Sequence, residues 1–369
     1  MKIVITKEQF INGLQAVQNI VGTRSTLPIL SNVLIRAEEN RLELTATDLD
    51  VSVVCSVDAK VEKGGATTLP VKRLFSLIRE LPVAEIELSV DDKNICSVQA
   101  GASYYKIHGL PAEEFPPLPR FKDNRKFSLP QEKLKEMLRK TSYAICTDES
   151  RYVLNGIFTS LKKEKLTMVA TDGRRLALVE EDISQSKEDA AEFIIPAKAV
   201  NELNRLLQAK GEVEIRLNEN QVSFNLTAEK GHPLLLCSKL VEGNYPNYRQ
   251  VIPTETKERI ALGREELHQA LRRAELMTSD KANSVKLTFS KNNLTIAANT
   301  PEVGEGRESI AINYKGPEMT IAFNPSYMMD PLKVLTADEV YIELRDEMSP
   351  GVLKTNSPFL YVLMPMRIN

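Results

Sequence analysis

The sequence predicts an α+β fold built from three tandem copies of one unit, each with two helices and antiparallel sheets. Three patterns predict it: an amphipathic helix that recurs three times, a strand pair after each of these helices, and a strand–helix–strand segment that completes each copy. The clearest repeated motif is Ala46-Thr47-Asp48, which returns as Ala170-Thr171-Asp172. In the third copy Ala298-Asn299-Thr300 takes its place.

The first helix of each copy has apolar residues spaced three or four positions apart. This spacing occurs in residues 10–21, 134–145 and 267–277. It collects the apolar side chains on one face of a helix, so each segment is predicted to pack that face on a core.

A pair of strands with a short turn follows each helix, in residues 31–48, 154–172 and 284–300. Within these pairs, apolar residues alternate with polar ones, as at Leu42 and Leu44. Alternation is typical of strands that bury one face, so the three segments are predicted to be antiparallel hairpins.

The second half of each copy is predicted to be a strand, a helix and another strand, in residues 67–88, 192–217 and 319–344. A proline stands near each helix start. Pro70 and Pro196 suit the first helical turn, where a missing N–H removes no hydrogen bond, and Asn324-Pro325 adds an N-cap.

Proline-rich segments at 115–124 and 244–255 separate the copies. The predicted domains are therefore residues 1–122, 123–252 and 253–369. Units of this size are large enough to bury their own cores.

Composition narrows the class of protein. The chain is 42% hydrophobic and 27% charged, which is ordinary for a globular protein. Its apolar runs are far shorter than the roughly 20 residues that cross a bilayer, so no membrane contact is expected. The first residues, MKIVITKEQF, lack the layout of a secretory signal, and a cytoplasmic location is expected.

No arrangement of residues predicts catalysis. The four cysteines are far apart in sequence, the three histidines form no HExxH pair, and the phosphate-binding GxxxxGK[ST] and the nucleophile motif GxSxG are absent. Buried, reduced thiols are expected, and no cofactor or metal. Asp48 with Asp50, or Asp172 with Glu180 and Glu181, could be metal carboxylates. However, Asp after a strand commonly makes turn hydrogen bonds, and Thr300 replaces it in the third copy.

Charge is distributed unevenly along a chain whose net charge is only −2. The predicted helices at 71–81, 130–142 and 196–210 each carry +2, and the charges of the other three predicted helices balance. The six helices therefore sum to +6 and the remaining chain to −8. Such segregation suits a positive surface opposite phosphates. Lys and Arg are also good helix formers on solvated faces, and charge alone does not decide between these interpretations.

The chain resembles the bacterial replicative sliding clamps, the beta subunits of DNA polymerase III. The motifs that carry this resemblance are TLPILSN (26–32), TATDL (45–49), RYVLNG (151–156), ATDGRRL (170–176), YPNY (245–248) and VLMPMR (362–367). The resemblance covers the whole chain. It implies two chains joined head to tail in a ring of six domains, whose helices line a hole that encircles double-stranded DNA. Such a ring tethers the replicative polymerase by topology, without catalysis.

The resemblance also implies three sets of site residues. The residues expected to face DNA, without sequence specificity, are Arg24, Lys72, Arg73, Tyr152 and Lys198. Those of a pocket for short linear motifs of the polymerase, the clamp loader and repair proteins are Leu154, Thr171, Gly173, Arg175, Leu176, Pro246, Val251, Val362, Met364, Pro365 and Met366. Those of the homodimer interface are Tyr105, Ile107, Leu276 and Met277.

Two residues of this pocket region depart from the family pattern. Arg174 stands where the family often has His, and Gln250 stands where it often has Arg. A different preference for the polar part of a partner peptide is therefore expected.

Two other classes of function remain open at this stage. An enzyme would use the Asp-containing turns as a metal site. A peptide-binding scaffold would keep the pocket but would have no use for the charged helices.

Overall fold

The computed structural model describes residues 1–22, 27–119, 121, 125–183, 190–227, 232–279 and 283–367. These residues contain six α-helices: α1 (Lys7–Val17), α2 (Val71–Glu80), α3 (Gln131–Thr141), α4 (Ala197–Leu206), α5 (Arg264–Glu275) and α6 (Pro325–Val334). Across the described ranges, no helix has both the length and the apolar character needed to span a bilayer.

The strands, in chain order, are β1 (Lys2–Thr6), β2 (Asn32–Glu38), β3 (Arg41–Thr47), β4 (Val51–Asp58), β5 (Lys60–Lys63), β6 (Gly65–Pro70), β7 (Glu85–Val90), β8 (Ile95–Ala100), β9 (Ser103–His108), β10 (Lys126–Pro130), β11 (Gly156–Lys162), β12 (Lys165–Thr171), β13 (Arg175–Asp182), β14 (Ala191–Pro196), β15 (Glu212–Leu217), β16 (Gln221–Thr227), β17 (Leu234–Lys239), β18 (Glu258–Gly263), β19 (Val285–Ser290), β20 (Asn293–Thr300), β21 (Gly304–Ala311), β22 (Met319–Phe323), β23 (Glu339–Leu344), β24 (Gly351–Lys354) and β25 (Phe359–Leu363). Every pairing between them is antiparallel.

The three predicted hairpins are confirmed as β2–β3, β11–β12 and β19–β20. Glu39 and Asn40 turn the first with φ of 46° and 61°, and Lys163 and Glu164 turn the second with φ of 51° and 63°. Two successive left-handed residues match the right-handed twist of the flanking strands, which explains why short turns suffice here.

The predicted strand–helix–strand segments are also confirmed, with corrections at the helix ends. Asn324 caps α6 by accepting a hydrogen bond from the Tyr327 amide at 3.1 Å, as its position before Pro325 predicts. Pro70 and Pro196 instead end strands β6 and β14 and precede their helices. Helix α4 ends at Leu206, so Lys210 lies outside it and the six helices carry +5 rather than +6.

The chain divides into two compact units. Unit 1 comprises residues 1–135 and 198–240, and unit 2 comprises 136–197 and 241–369. These units cut across the predicted repeats because each contains a sheet built from two of them. The predicted domain boundaries near 122 and 252 stay a prediction.

Unit 1 contains an eight-stranded sheet in the order β10-β15-β16-β17-β4-β3-β2-β6 and a five-stranded sheet in the order β5-β1-β7-β8-β9. The large sheet is joined at β17 and β4, where Leu236 lies opposite Val53. Both residues are fully buried, so the joint is also part of the core. Helices α1 and α2 pack against each other in this unit.

Unit 2 repeats this plan. Its eight-stranded sheet has the order β14-β11-β12-β13-β25-β24-β23-β18, and its four-stranded sheet has the order β21-β20-β19-β22. The large sheet is joined at β13 and β25, where Leu176 lies opposite Val362. Helices α5 and α6 pack against each other.

The four cysteines are free thiols, as the sequence predicts. Cys96, Cys146 and Cys237 are buried, whereas Cys55 is only partly so. Burial raises the pKa of Cys96 and of Cys237 to about 12, which keeps both thiols protonated near neutral pH.

A largely buried arginine, Arg175, ties strand β13 to helix α6 in unit 2. The guanidinium of Arg175 donates to a carboxylate oxygen of Asp330 on α6 at 2.5 Å and to the Tyr143 carbonyl at 2.5 Å. It also donates from Nε to Asp172 at 3.0 Å and lies 4.3 Å from the ring centre of Tyr327 on α6. The side chain of Arg175 is 10% exposed, so these contacts are largely shielded from water.

We predict that Asp330→Ala destabilises unit 2 by about 2–3 kcal/mol, because it removes one of the two carboxylates that pair with the largely buried Arg175. Lys333→Ala is the matched control: it removes the exposed partner of the same carboxylate, 3.0 Å away, and should cost less than about 0.5 kcal/mol. Urea unfolding followed by circular dichroism measures both. Equal midpoints for the two variants would show that the arginine does not depend on Asp330.

Candidate partner groove and charged helices

The turn between β12 and β13 is held by side chains at its base. The Thr171 hydroxyl donates to the Arg175 carbonyl at 2.6 Å and accepts from the Gly173 amide at 3.1 Å. One carboxylate oxygen of Asp172 accepts from the amides of Arg174 and Arg175 at 2.9 and 3.1 Å. The repeated Asp thus makes the turn hydrogen bonds predicted as the alternative to a metal site.

Gly173 gives the turn its close approach to a neighbouring side chain. Its φ is +85°, a left-handed conformation that favours glycine, and a Cβ here would lie 3.1 Å from a guanidinium nitrogen of Arg151. That same nitrogen donates to the Asp172 carbonyl at 2.7 Å. The turn is therefore fixed from both sides and leaves its backbone uncovered at residue 173, which is exposed.

An apolar floor lies beside this turn. Leu176, Val362, Val169 and Tyr248 form a buried cluster. The half-buried residues packed around it are Phe158, Leu178, Tyr245, Ile252 and Leu360. The register of β13 with β25 places Leu176 next to Val362, so residues from distant parts of the chain form one apolar surface.

The same segments of the chain also carry exposed apolar side chains, which we call the rim. Met364, Met366 and Val251 are 41%, 40% and 45% exposed. The Met364 amide donates to the Arg174 carbonyl at 2.9 Å. This hydrogen bond keeps the chain after β25 next to the turn between β12 and β13. We call the surface formed by residues 171–176, 245–252 and 362–366 the partner groove.

The other predicted pocket residues lie in or near the same part of unit 2. Leu154 is buried at the end of a short 3₁₀ helix (Glu149–Leu154), Pro246 is exposed between two tyrosines of the floor, and Pro365 is half-buried between the rim methionines. Their role in binding stays a prediction. Arg175 differs from the rest because its guanidinium points to α6 and donates a hydrogen bond to Asp330 there.

Three residues of this region were not among the predicted site residues. Asp172 shapes the turn, Arg151 braces it, and Asp330 anchors Arg175. The repeated Ala-Thr-Asp motif signals Asp172, and RYVLNG contains Arg151. Nothing in the sequence near Asp330 indicates a contact with a residue 155 positions away.

The predicted DNA-facing residues lie in different settings. Lys72 and Arg73 are exposed on α2, and Tyr152 is 58% exposed. Lys198, in the first turn of α4, contacts the Asp48 carboxylate within unit 1, which neutralises its charge locally. Arg24 lies outside the described residues. Contact with DNA stays a prediction for all of them.

The predicted dimer residues lie on one edge strand and at one helix end. Tyr105 is 44% exposed on the edge strand β9, and Leu276, just after α5, is 69% exposed. Met277 is half-buried and lies close to Gly306 of the edge strand β21. Ile107 is 6% exposed and packs into unit 1, so its side chain is not available to a partner.

No group of three or more His, Cys, Asp or Glu side chains in the described ranges is arranged to hold a metal ion. The carboxylates of Asp48 and Asp172, two of the candidates for such a site, instead accept hydrogen bonds from backbone amides of their own turns.

Family models match nearly the whole chain. The N-terminal, central and C-terminal domains of the DNA polymerase III beta subunit match residues 1–119, 128–247 and 249–367. The beta sliding clamp of Chlamydia muridarum is 38% identical over 369 residues, and that of Escherichia coli K12 is 36% identical over 372 residues; both alignments cover 100% of each chain.

Solved structures agree with these matches. The sliding clamps of Bartonella birtlesii and Pseudomonas aeruginosa, each bound to griselimycin, superpose with a TM-score of 0.94 over 100% of both chains. Their sequences are 36% and 34% identical to this one. The chain therefore belongs to the DNA polymerase III beta subunit family of DNA sliding clamps.

Proposed function

We propose that two copies of this chain close head to tail around duplex DNA and hold DNA polymerase III on its template without catalysing a reaction. The observation that carries the proposal is a missing sheet joint. Each eight-stranded sheet consists of four strands from one repeat and four from another. The two groups of four are joined by one strand pair, β17–β4 in unit 1 and β25–β13 in unit 2. A third joint of this kind has both its strands present, but the described part of the chain provides neither with a partner on its outer side.

Those two strands are β9 and β21. In the order of the repeats, β9 corresponds to β17 and β25, and β21 corresponds to β4 and β13. Each lies at the end of its sheet. Exposed edges invite pairing with another chain, and pairing of β9 with β21 of a second copy would complete the third joint. Because this contact is heterologous, it must close into a ring or polymerise, and two copies are what the family resemblance implies.

The side chains at these edges support the same contact. Tyr104 and Tyr105 on β9 are 54% and 44% exposed, and Leu276 and Val303 beside β21 are 69% and 48% exposed. Large exposed apolar residues of this kind commonly mark an interface.

Helix cations are the proposed DNA contacts. Lys72 and Arg73 project from α2, which carries +2 overall. A sliding ring needs weak contacts with phosphates, independent of sequence, and flexible Lys and Arg side chains supply them. Lys198 is excluded from the main test because its ammonium is already paired with Asp48.

The partner groove is the proposed site for short linear motifs of the polymerase, the clamp loader and repair proteins. Its buried floor and methionine rim suit several apolar side chains of similar size, since Met adapts its shape to the ligand. Arg174 and Arg249 are exposed beside it, and Arg151 is partly paired with Asp148. A ligand with apolar anchors flanked by a carboxylate therefore fits best. The relatives that bind griselimycin supply a probe for this groove.

The proposal includes three domains bounded near residues 122 and 252, and a cytoplasmic place of action. A peptide-binding scaffold without DNA remains the second candidate, because the partner groove would serve it equally well. The DNA experiment below separates the two.

We predict that the protein, loaded with its clamp loader on nicked circular DNA, stays bound and is released when the DNA is linearised. Lys72→Ala/Arg73→Ala should shorten its residence and lower the slope of log K against log salt by about 2 per chain. Lys60→Ala/Lys63→Ala removes the same charge from strand β5 and is the control. Release unaffected by linearisation, or equal effects of both variants, would contradict the proposed contacts.

We predict that griselimycin binds one site per chain and that Met364→Ala weakens it at least about 10-fold, because a rim contact is lost. Leu176→Ala/Met364→Ala should weaken it further. Met348→Ala, which truncates a methionine 78% exposed outside the groove, should leave affinity unchanged. Isothermal titration measures all three. Full affinity in the double variant would refute the groove.

We predict that the chain is a dimer at micromolar concentration and that Leu276→Asp converts it to monomer, since a charge would be buried in an apolar contact. Met348→Asp introduces the same charge at another exposed site and should leave the dimer intact. Light scattering after size exclusion measures the mass. A monomeric native protein, or a dimeric Leu276→Asp variant, would count against edge pairing.

A further inference from the structure

The turn between β3 and β4 in unit 1 has the same hydrogen bonds as the turn of the partner groove. The Thr47 hydroxyl donates to the Val51 carbonyl at 3.2 Å and accepts from the Leu49 amide at 3.1 Å. One carboxylate oxygen of Asp48 accepts from the amides of Asp50 and Val51 at 3.1 and 2.8 Å. Each of these bonds has its counterpart in residues 171–175.

The neighbouring strand is also placed alike. The Lys239 amide donates to the Asp50 carbonyl at 2.9 Å, as the Met364 amide donates to the Arg174 carbonyl at 2.9 Å. Ser52 lies opposite Cys237, as Leu176 lies opposite Val362. In both turns the second carboxylate oxygen of the aspartate pairs with a cation. Asp48 pairs with Lys198, and Asp172 pairs with Arg175. We call the unit 1 copy, residues 47–52 with 237–239, the second frame.

The second frame borders a cavity of about 130 Å³. Pro116 and Pro117 form part of its wall, and Pro116 matches Pro246 of the partner groove in the repeat. The backbone needed for a groove is thus present twice in the chain.

The side chains of the two frames differ. Leu49 has a φ of +78° and is 46% exposed, where Gly173 has +85° and leaves the backbone open. A left-handed leucine is strained, so the turn geometry is kept in spite of its side chain rather than because of it.

Three side chains of the second frame are smaller or more polar than their counterparts in the groove. Ser52 replaces Leu176, Cys237 replaces Val362, and Lys239 replaces Met364. Lys239 pairs with Asp50 at 2.9 Å across the frame, and the Ser52 hydroxyl contacts that of Thr47 at 2.7 Å. An apolar ligand would have to break this ion pair and would meet the Ser52 hydroxyl where the groove offers the Leu176 side chain.

We infer that the backbone frame of the groove is shared by both units and that the side chains at 173, 176 and 364 decide which copy binds an apolar ligand. This inference rests on the proposed function of the partner groove. It makes Gly173, Leu176 and Met364 specificity-determining residues, and it makes the second frame a site whose binding is prevented by Leu49, Ser52 and Lys239.

The inference is tested by moving the three side chains to the second frame. In Leu49→Gly/Ser52→Leu/Lys239→Met we expect two griselimycin sites per chain in isothermal titration, with affinities within about 100-fold of each other. Since Ser52 is 8% exposed and leucine is larger, Leu49→Gly/Lys239→Met is the companion variant if the triple variant fails to fold. It should show a weaker second site.

The reverse change tests the same residues in the groove. Met364→Lys should abolish the native site, lowering affinity at least about 100-fold, because a charge replaces an apolar contact. Met348→Lys makes the same change at an exposed position and is the control. Circular dichroism verifies that each variant is folded.

The outcomes separate the inference from the function on which it rests. No site in the native chain would overturn the partner groove and the inference together. The inference alone would be overturned if the native chain has one site and the folded variants with changes at 49, 52 and 239 still have only one. It would also be overturned if the native site survives Met364→Lys. Two sites in the native chain would overturn it as well, because the second frame would then bind without the changes.

Discussion

Pairing of strands from different repeats is the constraint on which the rest of the structure depends. Four strands of one copy and four of another become a single sheet through β17–β4 in unit 1 and through β25–β13 in unit 2. Each joint buries apolar residues on both sides, and the β25–β13 joint also places Val362 beside Leu176 to make the floor of the partner groove. The groove is therefore a direct product of the way in which one repeat is attached to the next.

Local patterns in the sequence predicted most of the elements because they depend on residues close together in the chain. The hairpin at 31–48 and the cap at Asn324 follow from alternation and from a side chain that reaches its own helix end. The errors at Pro70, Pro196 and Lys210 concern helix ends, which fray and are the least sharply defined part of a helix.

The attachments between repeats could not be predicted in the same way. The partners in β13–β25 are separated by about half the chain, and several strands of similar pattern compete for each edge. For the same reason the compact units cut across repeats that the sequence clearly shows. The contact of Arg175 with Asp330, and that of Lys198 with Asp48, are also tertiary, and both change how a predicted site residue is interpreted. A cation that pairs within its own unit has less charge to offer to DNA.

Duplication of the frame explains how one part of this fold can specialise while the fold itself is maintained. The hydrogen bonds of the turn involve backbone groups, one threonine hydroxyl and one aspartate carboxylate, and these are present in both units. They fix the turn beside each joint between repeats, so the turn depends on them in both units. The side chains that project from the frame carry no such requirement, since Ser52 and Leu176 occupy equivalent places in equally regular sheets. Binding specificity can therefore differ between the two joints without any change in the backbone that makes them.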